Sequence, residues 1–531
     1  MSSLKSKKQY TFDTFLEGRD RLNDLDNPFL LNVLSNLSGN QWEQQLGRLE
    51  PFSEKLSTSW RKVTNEIARP ENHPKLRQYD AYNHRIDRIV RPAEAVRLSE
   101  DVFGEGLFSS AQLPYEGIVK RYLLHGNGEA GITCPIACTD GLIALIEQFY
   151  DEVPDEVRAI HKHAKEGIDG KFAVGAQFMS EIQGGSNIPA NILQAVPDGS
   201  NYRLYGNKFF CSAVHADYSV VTARIEGTDH VAVFVVPSYL PGDQPNEKRN
   251  GYRINRLKWK LGTTELPSGE IDYDGAVAYR IGPENRGVAL AVGIVLTRSR
   301  LDIGFSSASF VMRAAREAKL YGRFRQVFDR KIDEFPMAAA QLDELEGAAK
   351  RMTATAFHMY KMFSEQDEYD ELQKFALREL ILLQKIYSAK EAADQLRLAI
   401  SIFGGHGAIE DFSAIPRLFR DSMVNELWEG PRNVLLTQVY KDLAKVRKTL
   451  SVEKIVEAMF PHLSLPEVEQ YSRRIEELMT AGLTGRPDSS NKNAARNWEL
   501  LWEELFLSFQ YAVTEPFTEL PIVREELLNT I

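Results

Sequence analysis

The stretch Ile402–Leu436, IFGGHGAIEDFSAIPRLFRDSMVNELWEGPRNVLL, decides the fold. Upstream of it, residues from about 373 to 403 contain neither Pro nor Gly, as a long helix requires, and Gly404-Gly405 stops that helix. Downstream, Arg420-Asp421 and then Trp428-Glu429-Gly430 follow in short order. A carboxylate beside an indole is desolvated, which disfavours its ionised form and raises its pKa toward the range a base needs. A glutamate picked at random is a solvated surface group. Its place between Trp428 and Gly430 singles Glu429 out as a candidate site carboxylate.

Working outward, Leu342, Leu345, Ala349, Met352, Ala356, Met359 and Phe363 recur at spacings of three and four and line one face of a second long helix. Two antiparallel bundle helices are implied. From about 170 to 285 the period shortens to two, in runs such as Tyr218 to Ile225 (YSVVTARI) separated by Gly, Asp and Asn turns, which predicts a β domain. Residues up to about 168 read as helical with polar loops. Pro70 to Asp87 interrupts them with Pro and His and predicts an ordered insertion that is not one regular helix. Residues 446–531 read as further helices with a polar break at 485–491, and their nine basic and fourteen acidic residues give a net charge of −5. The order α, β, α bundle is uncommon and excludes most fold classes.

A chain of 531 residues exceeds what one core organises and predicts three or four units. Its net charge of −10 argues against nucleic acid as the main partner. Cys134, Cys138 and Cys211 are too few for a disulfide framework and fit a reducing compartment, with the cytoplasm as the expectation. Cys134 and Cys138 share a helix face, but no further ligand has suitable spacing, so buried thiols are expected and no metal site. His406 reads as a turn or surface residue. The basic N-terminus lacks an apolar stretch behind it, so neither a signal nor a transit peptide is expected, and no membrane-spanning run is read from the sequence.

The segment 402–436 resembles the C-terminal signature of the acyl-CoA dehydrogenase family: a Gly-Gly turn, an Arg-Asp pair and an aromatic-Glu-Gly that carries the catalytic glutamate. Two further segments resemble the same family's flavin-binding pair. They are Gln177-Phe-Met179-Ser180-Glu181-Ile-Gln-Gly184-Gly185-Ser186-Asn187 and Tyr205-Gly-Asn-Lys208-Phe209-Phe210-Cys211-Ser212. Arg325-Gln-Val-Phe328 matches the family's Arg-x-x-Phe. Asn72-His73-Pro74 through Asp87, the run Arg121 to His125 before Cys134-Pro135, and the extra acidic helices resemble the AidB-type branch.

The resemblance implies an α+β acyl-CoA dehydrogenase fold. Its parts would be an N-terminal α domain (1–168), a β domain (169–285), a four-helix bundle (286–445) and an accessory segment (446–531). It implies FAD as cofactor and, as chemistry, α,β-dehydrogenation of a medium- or long-chain acyl-CoA with Glu429 as base and hydride transfer to flavin. Gln177, Met179, Ser180, Gly185, Ser186, Phe210 and Ser212 would form the flavin site, with Ser180 and Ser212 bonding the ring edge and Phe210 packing on it. Arg325 and Phe328 would reach the cofactor of a neighbouring subunit, and Ser401, Gly404 and Gly405 would also bind the cofactor. Asn433 would compensate for Pro431, which stands where the family usually has Thr or Ser. Ser186, Arg298, Trp428 and Gly430 would meet substrate. A homodimer or homotetramer and an electron-transfer flavoprotein as acceptor are further implications. Two other readings follow: an acyl-sequestering flavoprotein of low turnover, and the DNA-associated protective role of AidB-like proteins, against which the acidic C-terminal segment counts.

Overall fold

A computed structural model of the chain describes residues 10–518; the basic stretch before residue 10 and the end of the acidic segment after 518 lie outside the described residues. The N-terminal unit carries α1 (Asp13–Asp20), α2 (Pro28–Ser38), α3 (Trp42–Lys55) and α4 (Arg61–Ile67). The segment expected to break the helical pattern is a two-stranded antiparallel hairpin, β1 (Lys75–Tyr79) with β2 (Arg85–Val90). It is followed by α5 (Ala93–Gly104), α6 (Glu116–His125), α7 (Ala130–Glu147) and α8 (Asp155–Lys165). Against the expectation from sequence, α7 is long and apolar enough to cross a membrane, but 78% of it is buried inside the protein, as in a core helix.

The β domain comprises β3 (Gly175–Phe178), β4 (Gln194–Asp198), β5 (Asn201–Ser212), β6 (Tyr218–Ile225), β7 (Val231–Pro237), β8 (Tyr252–Leu257) and β9 (Ser268–Ile281). Strands β6, β4, β5, β9 and β7 pair in a ring that closes through β6 and β7. β3 lies parallel to β6, placing Gln177 opposite Val220, and β8 pairs with β9. Closure removes most free strand edges.

The chain then returns to helix with α9 (Gly287–Leu290), α10 (Thr297–Phe324), α11 (Pro336–Ser364), α12 (Glu371–Phe403), α13 (Ile415–Asn425) and α14 (Arg432–Val446). Asp370 and Gln373 form a capping box that starts α12, and Gly404, at φ +58°, ends it. The six positions Leu342 to Met359 of the predicted stripe on α11 are buried. Helix α12 is buried on nearly every side, because α10 and α11 cover one flank and later helices the other.

Those later helices are α15 (Val452–Met459), α16 (Leu465–Met479) and α17 (Ser489–Thr518), so the polar break is short and helix resumes at Ser489. The acidic segment is no loose appendage. Trp498, Leu501, Trp502, Leu505 and Phe506 share one core with Leu380, Leu383 and Tyr387 of α12 and with Leu435, Val439 and Leu443 of α14. Trp502→Ala is expected to cost about 3–5 kcal/mol and to lower Tm in one transition. Selective melting of α15–α17 alone, with the rest unaltered, would show the segment to be a separate unit.

Candidate active site

Glu429 sits on the turn between α13 and α14, at the junction of the barrel and the bundle. Its backbone is left-handed, at φ +58°, and Gly430 follows at φ +104°. A side chain other than Gly in that region is strained and persists where its surroundings over-determine it. Three side chains from three elements do so. Gln177 on β3 donates from Nε2 to Oε1 of Glu429 at 2.8 Å and to Ser299 Oγ on α10 at 3.2 Å. Arg300 on α10, itself buried, donates from Nε to the Glu429 carbonyl at 3.1 Å. Lys385 on α12 donates from Nζ to the Gly430 carbonyl at 2.6 Å and to the Glu426 carbonyl at 3.0 Å.

Burial raises the Glu429 pKa above the ordinary carboxylate value, opposed by the charges of Arg300 and Lys385 and by the Gln177 hydrogen bond. Glu429 as a whole residue is half-buried, and its backbone is fixed. Trp428 Nε1 bonds Asn425 Oδ1 at 2.9 Å, and Asn425 Nδ2 bonds Ser306 Oγ at 3.0 Å, so the indole is anchored to α10 through α13.

The loop after β3 is organised by a buried ion pair. Lys208 Nζ meets Glu181 Oε1 at 2.9 Å, with both side chains at 0% exposure. Glu181 also accepts from Ile192 N and Leu193 N at 2.7 and 3.1 Å, and Lys208 donates to the Met179 carbonyl at 3.1 Å. Burial alone would raise the Glu181 pKa, but Lys208 and these N–H groups outweigh it and hold the carboxylate ionised. Ser180 closes over Gly185 so tightly that a Cβ at Gly185 would collide with its hydroxyl, which is why glycine stands there. Ser186 is exposed beyond it. On β5, Ser212 Oγ lies 3.1 Å from Ser268 Oγ, and Phe210 is 54% exposed beside Lys258, whose Nζ is 4.6 Å from the ring centroid.

The expected site residues therefore divide. Gln177, Met179, Ser180, Gly185, Phe210 and Ser212 lie on the β3 and β5 side of the barrel, and Gln177 brings that side to Glu429. Asn433, exposed in the first turn of α14, stays near the catalytic turn. Ser401 is roughly 24 Å further along α12 than Lys385 at 1.5 Å per residue, and Gly404 and Gly405 lie just beyond the end of that helix. Arg325 and Phe328, beyond the end of α10, are roughly 36 Å from Arg300 on the same measure. These distal residues gather with one another: Tyr321 stacks on Phe403 at 4.5 Å and bonds His406 Nδ1 at 2.9 Å, Arg325 lies over Tyr10, and Phe328 is 91% exposed.

Gln177, expected at the cofactor, donates to the Glu429 carboxyl group. Arg298, expected at substrate, faces Asp140 at 3.4 Å and lies 5.1 Å over Phe363, within the Arg121–Asp140–Asp302 network that joins α6, α7 and α10. Arg300 is the arginine bonded to the Glu429 turn. Sequence reasoning did not single out Arg300, Lys385 or Ser299; the only signal was the doubled arginine of Thr297-Arg-Ser-Arg300.

Residues 285–444 match the family model described as acyl-CoA dehydrogenase, C-terminal domain. Acyl-CoA dehydrogenase family member 11 of Caenorhabditis elegans is 29% identical over 439 residues, spanning 75% of this chain and 69% of its own length. Putative acyl-CoA dehydrogenase AidB of Escherichia coli (strain K12) is 29% identical over 391 residues, spanning 70% of each. The solved structure of C. elegans ACDH-11 in complex with C11-CoA superposes with a TM-score of 0.79 at 22% identity, covering 99% of this chain and 94% of that one. An acyl-CoA dehydrogenase from Bacillus anthracis, complexed with FAD, gives a TM-score of 0.63 at 18% identity over 80% and 76% of the two chains.

The helical unit, closed barrel and bundle give the chain the acyl-CoA dehydrogenase fold, and the matched C-terminal domain and curated relatives indicate an oxidoreductase of this class. Residues 285–444 carry that family's C-terminal domain, and the chain as a whole is similar to AidB and to family member 11. Lys208→Met, which strands Glu181 in the interior, is expected to cost about 3–5 kcal/mol. A double-mutant cycle with Glu181→Leu checks it, the double variant being more stable than Lys208→Met alone.

Proposed function

We propose that the chain is an FAD-dependent acyl-CoA dehydrogenase in which Glu429 takes the α-proton of an acyl thioester. The observation that carries this reading is the environment of Glu429. Its carboxyl is aimed by Gln177, its backbone is held by Arg300, and burial keeps its pKa above the usual range. A base poised in this way can accept a proton from a weakly acidic C–H.

The residues present fit a flavin. Gly185 and Ser180 bring backbone and hydroxyl close together, Ser212 offers a second hydroxyl, and Phe210 leaves an aromatic face open. FAD, when bound, supplies the acceptor for the hydride that leaves the β-carbon as the α,β double bond forms. Glu429 Oε2, free of the Gln177 bond, holds the proton. Trp428, fixed by Asn425, keeps water from that side. The distal group of Arg325, Phe328, Ser401, Gly404 and Gly405 serves the cofactor of a neighbouring subunit in a homo-oligomer, since it lies too far from Glu429 of its own chain. Electrons pass on to a flavoprotein acceptor.

Anaerobic addition of acyl-CoAs of graded length to the flavin-loaded protein is expected to bleach the oxidised flavin band. Glu429→Gln should slow bleaching by at least about 100-fold. Because the Glu429 pKa is raised, the ionised base is present only above that value. The rate should therefore fall as pH drops, at a pH above the ordinary glutamate value of about 4.3. Full bleaching by Glu429→Gln would overturn the assignment.

A further inference from the structure

We infer that Lys385 is a positioning residue for the catalytic turn: from α12 it bridges the end of α13 to Gly430 and fixes Glu429 from behind. The inference rests on Glu429 being the base.

Lys385 is 1% exposed, yet its Nζ is committed to backbone carbonyls rather than to a carboxylate, at Gly430 (2.6 Å) and Glu426 (3.0 Å). Glu426 caps α13, and its carbonyl lies at the negative end of that helix, which favours a cation. Gly430 precedes Pro431, which has no N–H with which to tie the turn locally. Local hydrogen bonds from Leu427 and Trp428 to the Val424 carbonyl tie the near end of the turn; the Lys385 ammonium links that end to Gly430, and Arg300 holds the Glu429 carbonyl between them. Packing alone would be met by an apolar side chain. A buried ammonium is expensive to maintain and implies that its donors and charge are used.

The charged groups facing Lys385 are Glu429 and Glu426 from the turn and Arg300 from α10. Arg300 in turn feels Arg378 and Glu379 of α12. Burial lowers the Lys385 pKa to about 7, with Glu429 opposing and Arg300 adding to the fall. The bridge is thus fully charged on the acid side of neutrality and weakens above it, while Glu429 needs the alkaline side of its own raised pKa. The two groups together bound the active range of pH from opposite ends.

The test uses the flavin-loaded full chain carrying Lys385→Met or Lys385→Gln, read by anaerobic flavin bleaching across pH and by amide hydrogen exchange over residues 426–432. Lys385→Met is expected to slow bleaching about 100-fold with little change in acyl-CoA affinity, and to move the acid limb up by about one pH unit. Exchange in 426–432 should accelerate. Lys385→Gln, a donor without charge, should recover exchange protection but not the acid limb. A folded Lys385→Met that keeps flavin, wild-type rate and an unmoved acid limb would overturn the inference. Should that variant not fold, Lys385→Arg, charged at every pH, must keep the acid limb and lose the alkaline one; an unchanged alkaline limb overturns it. If the wild type is bleached by no acyl-CoA, the dehydrogenase reading fails, and unaccelerated exchange in Lys385→Met then rejects the bridge on its own.

Discussion

A carboxylate cannot be buried on a left-handed turn unless its neighbours leave it no alternative, and the Gln177–Glu429 hydrogen bond is where that constraint is met. Gln177 belongs to the barrel, Glu429 to the bundle, and Ser299, which shares the same amide, to the helix that crosses behind both. The two domains are therefore in register through the functional group itself. The ion pair of Glu181 and Lys208 serves the same end one strand further on, because it fixes the loop that leaves β3 and so fixes what Gln177 can reach.

Much of the fold was legible because its signals are periodic. The stripe of α11 and the glycine stop of α12 lie where three-and-four spacing and Gly404-Gly405 predict them, and the change to period two marks the barrel. The hairpin at 75–90 was not legible as strand, since its apolar contribution to the β-domain core is one cross-strand pair, Leu76 and Ile89, set among charged residues. Helix α7 is apolar along most of its length, a composition shared by core helices and membrane spans. At the C-terminus the charge count hid the core: acidic residues face water while two tryptophans and their neighbours, a minority in number, do the packing.

The site was legible in identity more than in direction. Arg298 and Arg300 are two residues apart, which on a helix turns them about 200° from each other. Chemistry could not say which of two equal side chains points inward; neighbouring elements do, with Asp140 drawing one and the catalytic turn the other. Lys385 sits 44 residues before Glu429 in the chain, and nothing in its local sequence distinguishes it from a solvated lysine. Burial by α17 and its neighbours, from the segment that reads as an accessory, is part of what gives α12 its dry interior.

The outer edge of β3 is not paired with another strand. Gly175 N donates instead to Thr139 Oγ1 on α7 at 2.8 Å, a hydroxyl that itself donates to the Pro135 carbonyl at 2.7 Å, and a Cβ on Gly175 would strike Thr139. The register of Gln177 thus depends on a threonine and a glycine that touch nothing reactive. A survey of inactivating substitutions in this chain would map a stripe along α7 as though that helix met the ligand, when what it holds is the ruler against which the amide of Gln177 is set.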